Sequence, residues 1–305
     1  MSGIQERLLS ALREDGFQGA VVSVEHVAEL QAEIKRLLSS GVLDQGLYQV
    51  GLSWFRFSQS SELVGAQSLI VIALPEPIIQ LQFQWQGEER QIVIPPIYSP
   101  RGTDRLQRTL EDVLGREQYY FERAGLPLKL LAVRSGLAAY GRNNISYVNG
   151  FGSYHRLVAF ISDMPCEQDS WREPERMAAC DDCQACVHAC PTECIKADRT
   201  VIHAERCITY FNEAAEPFPD WLDAHWHNAL IGCMRCQGAC PENRGRADVV
   251  QVTDAFTEQE IDLMQSGTAF DELPQSTRAT LESLGQTQAY RDRLISRNLA
   301  ALLAR

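Results

Sequence analysis

Twelve residues, Cys180-Asp-Asp-Cys183-Gln-Ala-Cys186-Val-His-Ala-Cys190-Pro191, set out four thiols in a C-x2-C-x2-C-x3-C-P run. They are answered by Cys207 and by Cys233-Met-Arg-Cys236-Gln-Gly-Ala-Cys240-Pro241. Two-residue gaps let one tight loop wrap three thiolates around a face of a [4Fe-4S] cube, while the longer gap and the proline send the fourth sulfur to another cube. Two cubes need eight thiolates, and these eight cysteines supply them. The crossed pattern assigns Cys180, Cys183, Cys186 and Cys240 to a first cluster and Cys190, Cys207, Cys233 and Cys236 to a second. Cys166 and Cys194 fall outside it and read as spare. Pairs of C-x2-C also hold zinc, but zinc sites rarely string three cysteines at this spacing into an x3-Cys-Pro ending. A disulfide scaffold fits worse still, with ten cysteines spread over 305 residues.

The rest of the chain must position these thiols. At 45% hydrophobic it can bury a core, and a net charge of −12 argues against broad, unaided binding to nucleic acid. No apolar run approaches the ~20 residues that cross a bilayer, so no membrane association is expected. The start, Met-Ser-Gly-Ile-Gln-Glu-Arg, has neither an apolar export segment nor twin arginines. Many thiols without an export signal suit a reducing cytoplasm.

Ile4, Leu8 and Leu12 recur at helical spacing, Gly19 to Val24 is a short β-branched run, and Val27, Leu30, Ile34, Leu37 and Leu38 mark a second amphipathic helix capped by Ser23. Ser68 to Leu74 is a continuous apolar run closed by Pro75, the pattern of a strand buried on both faces, with Gln91 to Pro95 expected at or near its edge. Pro96 to Asp104 reads as loop, with Thr103 or Asp104 capping a helix through Leu106, Leu110 and Leu114. Pro127 opens a further helix ending at Gly136, and Ser153 to Asp163 alternates as a strand. Between these lie two glycine-bearing loops, Gly141-Arg142-Asn143-Asn144 and Gly150-Phe-Gly152, which suit either close backbone approach to a ligand or ordinary turns. His225 and His227, in an insertion from Pro217 to Leu230, read as surface or interface residues of a short helix shielding the second cube. Ile295, Leu299, Leu302 and Leu303 form a stripe that should pack a terminal helix on the body.

The expected fold class is α+β. An N-terminal α/β cofactor-binding-like domain should span 1–170, a bacterial-ferredoxin-like two-[4Fe-4S] domain 171–250, and short C-terminal helices 251–305.

Taken together, G-L-x-x-x-G-R-N-N from Gly136 to Asn144, the Gly152-Ser153-aromatic strand ending in Asp163-Met-Pro165, and the two-cluster segment with its long spacer resemble the epoxyqueuosine reductase family. These are cytoplasmic, cobalamin-dependent iron–sulfur reductases related to reductive dehalogenases, and they complete queuosine in tRNA. The resemblance covers roughly residues 40 to 247. It implies that Gly136, Gly141, Arg142, Asn143, Asn144, Gly152 and Ser153 lie near a corrinoid, with the first cluster closest to cobalt. It also implies a redox partner such as ferredoxin or flavodoxin and a small-molecule or nucleoside substrate. Two departures matter. Ala124-Gly-Leu-Pro127 stands where the family carries an aspartate in a V-D-x-x-P-type segment, and Arg142 replaces the family's lysine with a cation that does not release its proton. Glu122, Tyr119, Tyr120 and His155 are the remaining candidates for a proton donor. The shortened C-terminal region predicts that tRNA is not a partner.

No phosphate-binding loop, dinucleotide fingerprint or serine nucleophile elbow competes with this reading. Two functions follow from it. One is an oxidoreductase whose clusters feed a bound cofactor, expected to be a corrinoid; the other is an electron-transfer protein that kept the scaffold without cobalamin or catalysis.

Overall fold

The computed structural model describes residues 3–57, 65–99, 101–199 and 201–304. In chain order the first elements are α1 (Ile4–Glu14), β1 (Gln18–Ser23), α2 (Val27–Ser39), α3 (Gln45–Leu47), β2 (Ser68–Pro75), β3 (Ile78–Trp85) and β4 (Glu88–Ile94). Next come α4 (Thr103–Val113), β5 (Phe121–Arg123), α5 (Leu128–Arg134), β6 (Ala138–Tyr140), β7 (Ser146–Val148) and β8 (His155–Ser162). The cysteine segment holds only short helices, α6 (Ala185–Ala189), α7 (Ile208–Glu213) and α8 (Arg235–Gly238). Strand β9 (Val249–Val252) and helices α9 (Glu258–Gln265), α10 (Gln275–Ser283), α11 (Thr287–Arg291) and α12 (Leu294–Leu303) end the chain. They form two compact units that interleave along the sequence. The first takes Met1–Pro75, Arg101–Gln184 and Lys196–His203; the second takes Glu76–Pro100, Ala185–Ile195 and Ala204–Arg305.

The apolar run of β2 explains the first unit. From Ser68 to Leu74 every residue is buried, and the strand lies between β1 and β8 in an antiparallel sheet of order β1-β2-β8-β5. Successive side chains point to opposite faces. Leu69, Val71 and Ala73 therefore join Ala159 and Ile161 of β8 under Leu30 and Ile34 of α2 and Leu131 of α5. Ile70, Ile72 and Leu74 join Val158 and Phe160 under Leu8 and Leu12 of α1 and Leu106 and Leu110 of α4. The β6–β7 hairpin adds Ala138 and Val148 to the α2–α5 side.

Two expectations need correcting, and a third is narrowed. Thr103 and Asp104 do not cap α4; the cap position is Gly102, whose φ of 75° is a left-handed conformation that glycine adopts without strain. Pro100 of that loop lies outside the described residues. The strand from Gln91 does not border β2 but pairs antiparallel with β3, within the second unit. Glutamines disguise β3 in the sequence, yet Ile79, Leu81, Phe83 and Trp85 alternate onto one buried face. Gln86 and Gly87, at φ 53° and 79°, make the two-residue turn that closes the hairpin. His227, finally, is fully buried against the Phe218 ring, whereas His225 is exposed beside Asp223.

In the second unit β9 pairs parallel to β3, and the hairpin's buried face packs with Ile261 of α9, Leu281 of α10, Tyr290 of α11 and the Ile295, Leu299 and Leu302 stripe of α12. Four short helices, α9 to α12, make up the expected helical end among the described residues. Asn298 of α12, with no exposed surface, donates to the carbonyls of Asn212 (2.9 Å) and Leu230 (3.0 Å). Truncation would leave both carbonyls buried and unpaired, so Asn298→Ala should cost about 2 kcal/mol or more in denaturant unfolding; a change within 0.5 kcal/mol would show that water replaces the amide.

Candidate metal centre

Each C-x3-C-P ending is a turn of helix that stops at proline. Cys186 lies on α6 and Cys190 just beyond it; Cys236 lies on α8 and Cys240 just beyond it, and the two helices pack on one another within the second unit. Cys207 stands at the N-cap of α7. The sulfurs of Cys190, Cys194 and Cys207 converge. Cys190 Sγ and Cys194 Sγ are 3.4 Å apart, Thr192 Oγ1 is 3.5 Å from the same Cys190 sulfur, and Cys194 also hydrogen-bonds Cys207. Hydrogen bonding with Cys194 lowers the Cys190 thiol to about 5, and contact with the same sulfur brings Cys207 to about 7. The Cys190 thiolate is thus favoured at neutral pH and Cys207 is drawn toward it, the thiolate being the form that binds iron. Burial pushes Cys233 up to about 11, so iron has to displace that proton. Such a set of thiols, partly buried and partly ionised, fits the iron–sulfur reading.

Sequence reasoning passed over two neighbours of this set. Cys194 was read as spare, but Glu193, with φ 52°, donates its N–H to Cys190 O, and the turn brings Cys194 back against Cys190. Tyr98 has its phenolic oxygen packed on Gly232 and hydrogen-bonded to Glu213. Burial first, then the charge of Glu213, holds that phenol well above its usual range. Nothing in a lone Pro-Ile-Tyr-Ser stretch signals this; the contact joins residues far apart in sequence.

Cys180 and Cys183 sit in the first unit, on the segment that follows β8. Arg142 serves that segment. Only 6% exposed, its guanidinium donates to the carbonyls of Cys180 (2.5 Å), Asp181 (3.2 Å), Cys183 (3.1 Å) and Ala197 (2.5 Å). Asn143 is buried and bonds Tyr147 OH (3.1 Å) and the Ile145 N–H (3.3 Å). A Cβ on Gly141 would meet Asn143 Oδ1 and Tyr147 at 2.5 Å. Gly136 (φ 79°) ends α5, Asn144 (φ 59°) closes the β6–β7 turn, and Gly152 (φ 61°) follows β7 with its N–H on Val148 O. Ser153 is buried. At Gly141 to Asn143 the space and the side-chain donors expected for a corrinoid rim are taken up within the protein itself.

The four proton-donor candidates do not meet. Glu122 lies opposite Ile161 at one end of β8, and His155 begins the strand six residues away, roughly 20 Å at the rise of an extended chain. Tyr119 packs into the α1–α4 core, and Tyr120 is 69% exposed. Ala124 donates its N–H to Ala159 O and packs on the α2–α5 side, so its position offers no acid.

His155 is buried, with its Nδ1–H donated to Gly152 O (3.1 Å) and Nε2 accepting from Ser146 Oγ (3.1 Å). Burial lowers it from 6.5 to about 4. The unfolded chain therefore binds a proton that the folded one refuses, so this contribution is complete above the unfolded value of 6.5 and is lost as pH falls toward 4. Stability should drop by up to about 3 kcal/mol across that window in the parent protein. His155→Gln should flatten the slope in chemical denaturation; an unchanged slope would place the titration elsewhere.

Residues 179–243 match the sequence model of the 4Fe-4S double cluster binding domain. An epoxyqueuosine reductase from Cyclobacterium marinum is 33% identical over 140 residues, 46% of this chain and 43% of that protein. The chain spans less than half the length of the sequence relatives it matches. A solved epoxyqueuosine reductase from Streptococcus thermophilus superposes with a TM-score of 0.70 at 20% identity, covering 99% of this chain and 81% of that one. An epoxyqueuosine reductase solved with an epoxyqueuosine-modified tRNA-Tyr stem loop gives 0.68 at 21% identity, with the same coverage. The chain therefore carries a 4Fe-4S double cluster binding domain and shares the α+β fold of solved epoxyqueuosine reductases.

Proposed function

We propose that this chain is an iron–sulfur oxidoreductase whose two [4Fe-4S] clusters pass single electrons to an acceptor held by its α/β part, in a reduction of the epoxyqueuosine type. The carrying observation is Arg142. A loop of the α/β fold grips the backbone around Cys180 and Cys183, so the cysteine motif is anchored to a substrate-sized domain rather than to a free carrier. The ligand sets remain those the motif assigns, Cys180, Cys183, Cys186 and Cys240 for one cluster and Cys190, Cys207, Cys233 and Cys236 for the other. When bound, each cube accepts and returns one electron. The chain's own residues hold the thiolates, orient the first cysteine loop through Arg142 and keep His155 neutral. The linear organisation that goes with this reading is a cofactor and substrate domain over 1–170, a cluster domain over 171–250 and a helical end; the setting is cytoplasmic, with ferredoxin or flavodoxin as donor.

The acceptor implied by the family resemblance is a corrinoid, yet Gly141 to Asn143 are occupied within the protein. That occupation favours a second reading, an electron-transfer protein without cobalamin. The tRNA-bound neighbour supports a tRNA substrate, against the expectation from the short C-terminal region, and tRNA therefore belongs among the substrates to test.

Anaerobically reconstituted protein should carry about eight iron and eight sulfide per chain. Half that iron, or zinc alone, would end the cluster assignment. Cobalamin titrated calorimetrically, followed by turnover on an epoxyqueuosine-bearing stem loop, separates the two readings: binding with turnover supports the reductase, and neither at high micromolar ligand supports the carrier. Arg142→Met should lower stability by about 3 kcal/mol, since it removes charge-assisted bonds to four buried or partly buried carbonyls, and should reduce iron content; retention of full iron and stability would remove the anchoring argument.

A further inference from the structure

Only one of Cys190 and Cys194 can ligate a given iron corner. Ligand sulfurs diverge from a cube, each pointing at its own iron, whereas these two sulfurs touch at 3.4 Å. The C-x3-C-P spacing selects Cys190. Cys194 remains, 2% exposed, with its sulfur against those of both Cys190 and Cys207 and no route to solvent for its S–H. A thiol in that position donates to a ligand sulfur. Thr192 Oγ1, 3.5 Å from Cys190 Sγ, stands beside it as a second hydroxyl-type donor.

We infer that Cys194 is a positioning residue of the second cluster, a fifth thiol that binds no iron but donates its S–H to the Cys190 sulfur and thereby raises that cluster's reduction potential. The physical reason is charge. One-electron reduction adds negative charge to the cube and its thiolates, and a hydrogen bond aimed at a ligand sulfur stabilises the reduced form more than the oxidised one. The inferred donor touches a ligand of the second cluster, so it bears on that cluster's potential. The inference rests on the ligand assignment proposed above, and the iron count of the parent protein tests that assignment independently.

The experiment is a potentiometric titration of the reconstituted holoprotein, followed by electron paramagnetic resonance, for the parent, Cys194→Ala and Cys194→Ser. Both variants should keep the parent's iron and sulfide. Cys194→Ala should move one of the two midpoints to lower potential by up to a tenfold change in the reduction equilibrium, about 59 mV for a one-electron couple, with the other midpoint fixed. Cys194→Ser restores a donor at the same place and should recover most of the shift, which a mere packing role would not produce. Unmoved midpoints in Cys194→Ala overturn the inference. So does loss of about half the iron in both variants, which would make Cys194 itself the ligand.

Discussion

The first unit's hold on its part of the cysteine motif depends on one buried guanidinium. Arg142 has four backbone carbonyls as partners, around Cys180 to Cys183 and at Ala197, each contributing a charge-assisted bond of roughly 1.5–3 kcal/mol. A lysine could not do the same. Its three donors radiate from one atom, whereas the planar fork spreads its donors over carbonyls that point from different directions. The loop that holds Cys180 and Cys183 is consequently shaped by a cation of the hairpin.

That hairpin stays in place because of what lies beneath it. β2 and β8 are apolar on both faces, so helices must cover both, and the β6–β7 turn is pressed onto the α2–α5 side through Ala138 and Val148. Gly141 has no side chain because Tyr147 and Asn143 fill the position, and Tyr147 in turn accepts from Asn143. A residue set that looks like ligand chemistry is here the internal wedge of a turn. His155 belongs to the same arrangement, hydrogen-bonded between Ser146 and Gly152 and kept neutral by burial.

The second unit repeats the principle with different means. A one-faced hairpin and the stripe of α12 supply the apolar core, and Asn298 satisfies two carbonyls that helix packing would otherwise leave bare. Around Cys190, Cys194 and Cys207 the polar partners are sulfurs and hydroxyls rather than carboxylates, so negative charge can be stored without a fixed like charge in hydrogen-bond contact with these thiols.

Sequence alone determined whatever depends on spacing within one element. The thiol count from Cys180 to Cys240, the doubly buried strand at Ser68 to Leu74, the stripes of α1, α2 and α12, and the family resemblance were all legible, because a periodicity of two or 3.6 records which side of its own element a residue faces. Only the tertiary structure decided partners. Glu88–Ile94 found β3 rather than β2, Arg142 reached carbonyls 38 residues and more away, Ala124's neighbourhood came without His155, and a turn at Glu193 returned a spare cysteine to the thiol cluster. Periodicity states that a side chain is buried; it carries no information about which distant segment buries it, and in this chain the choice of partner is what separates a ligand rim from a packed turn.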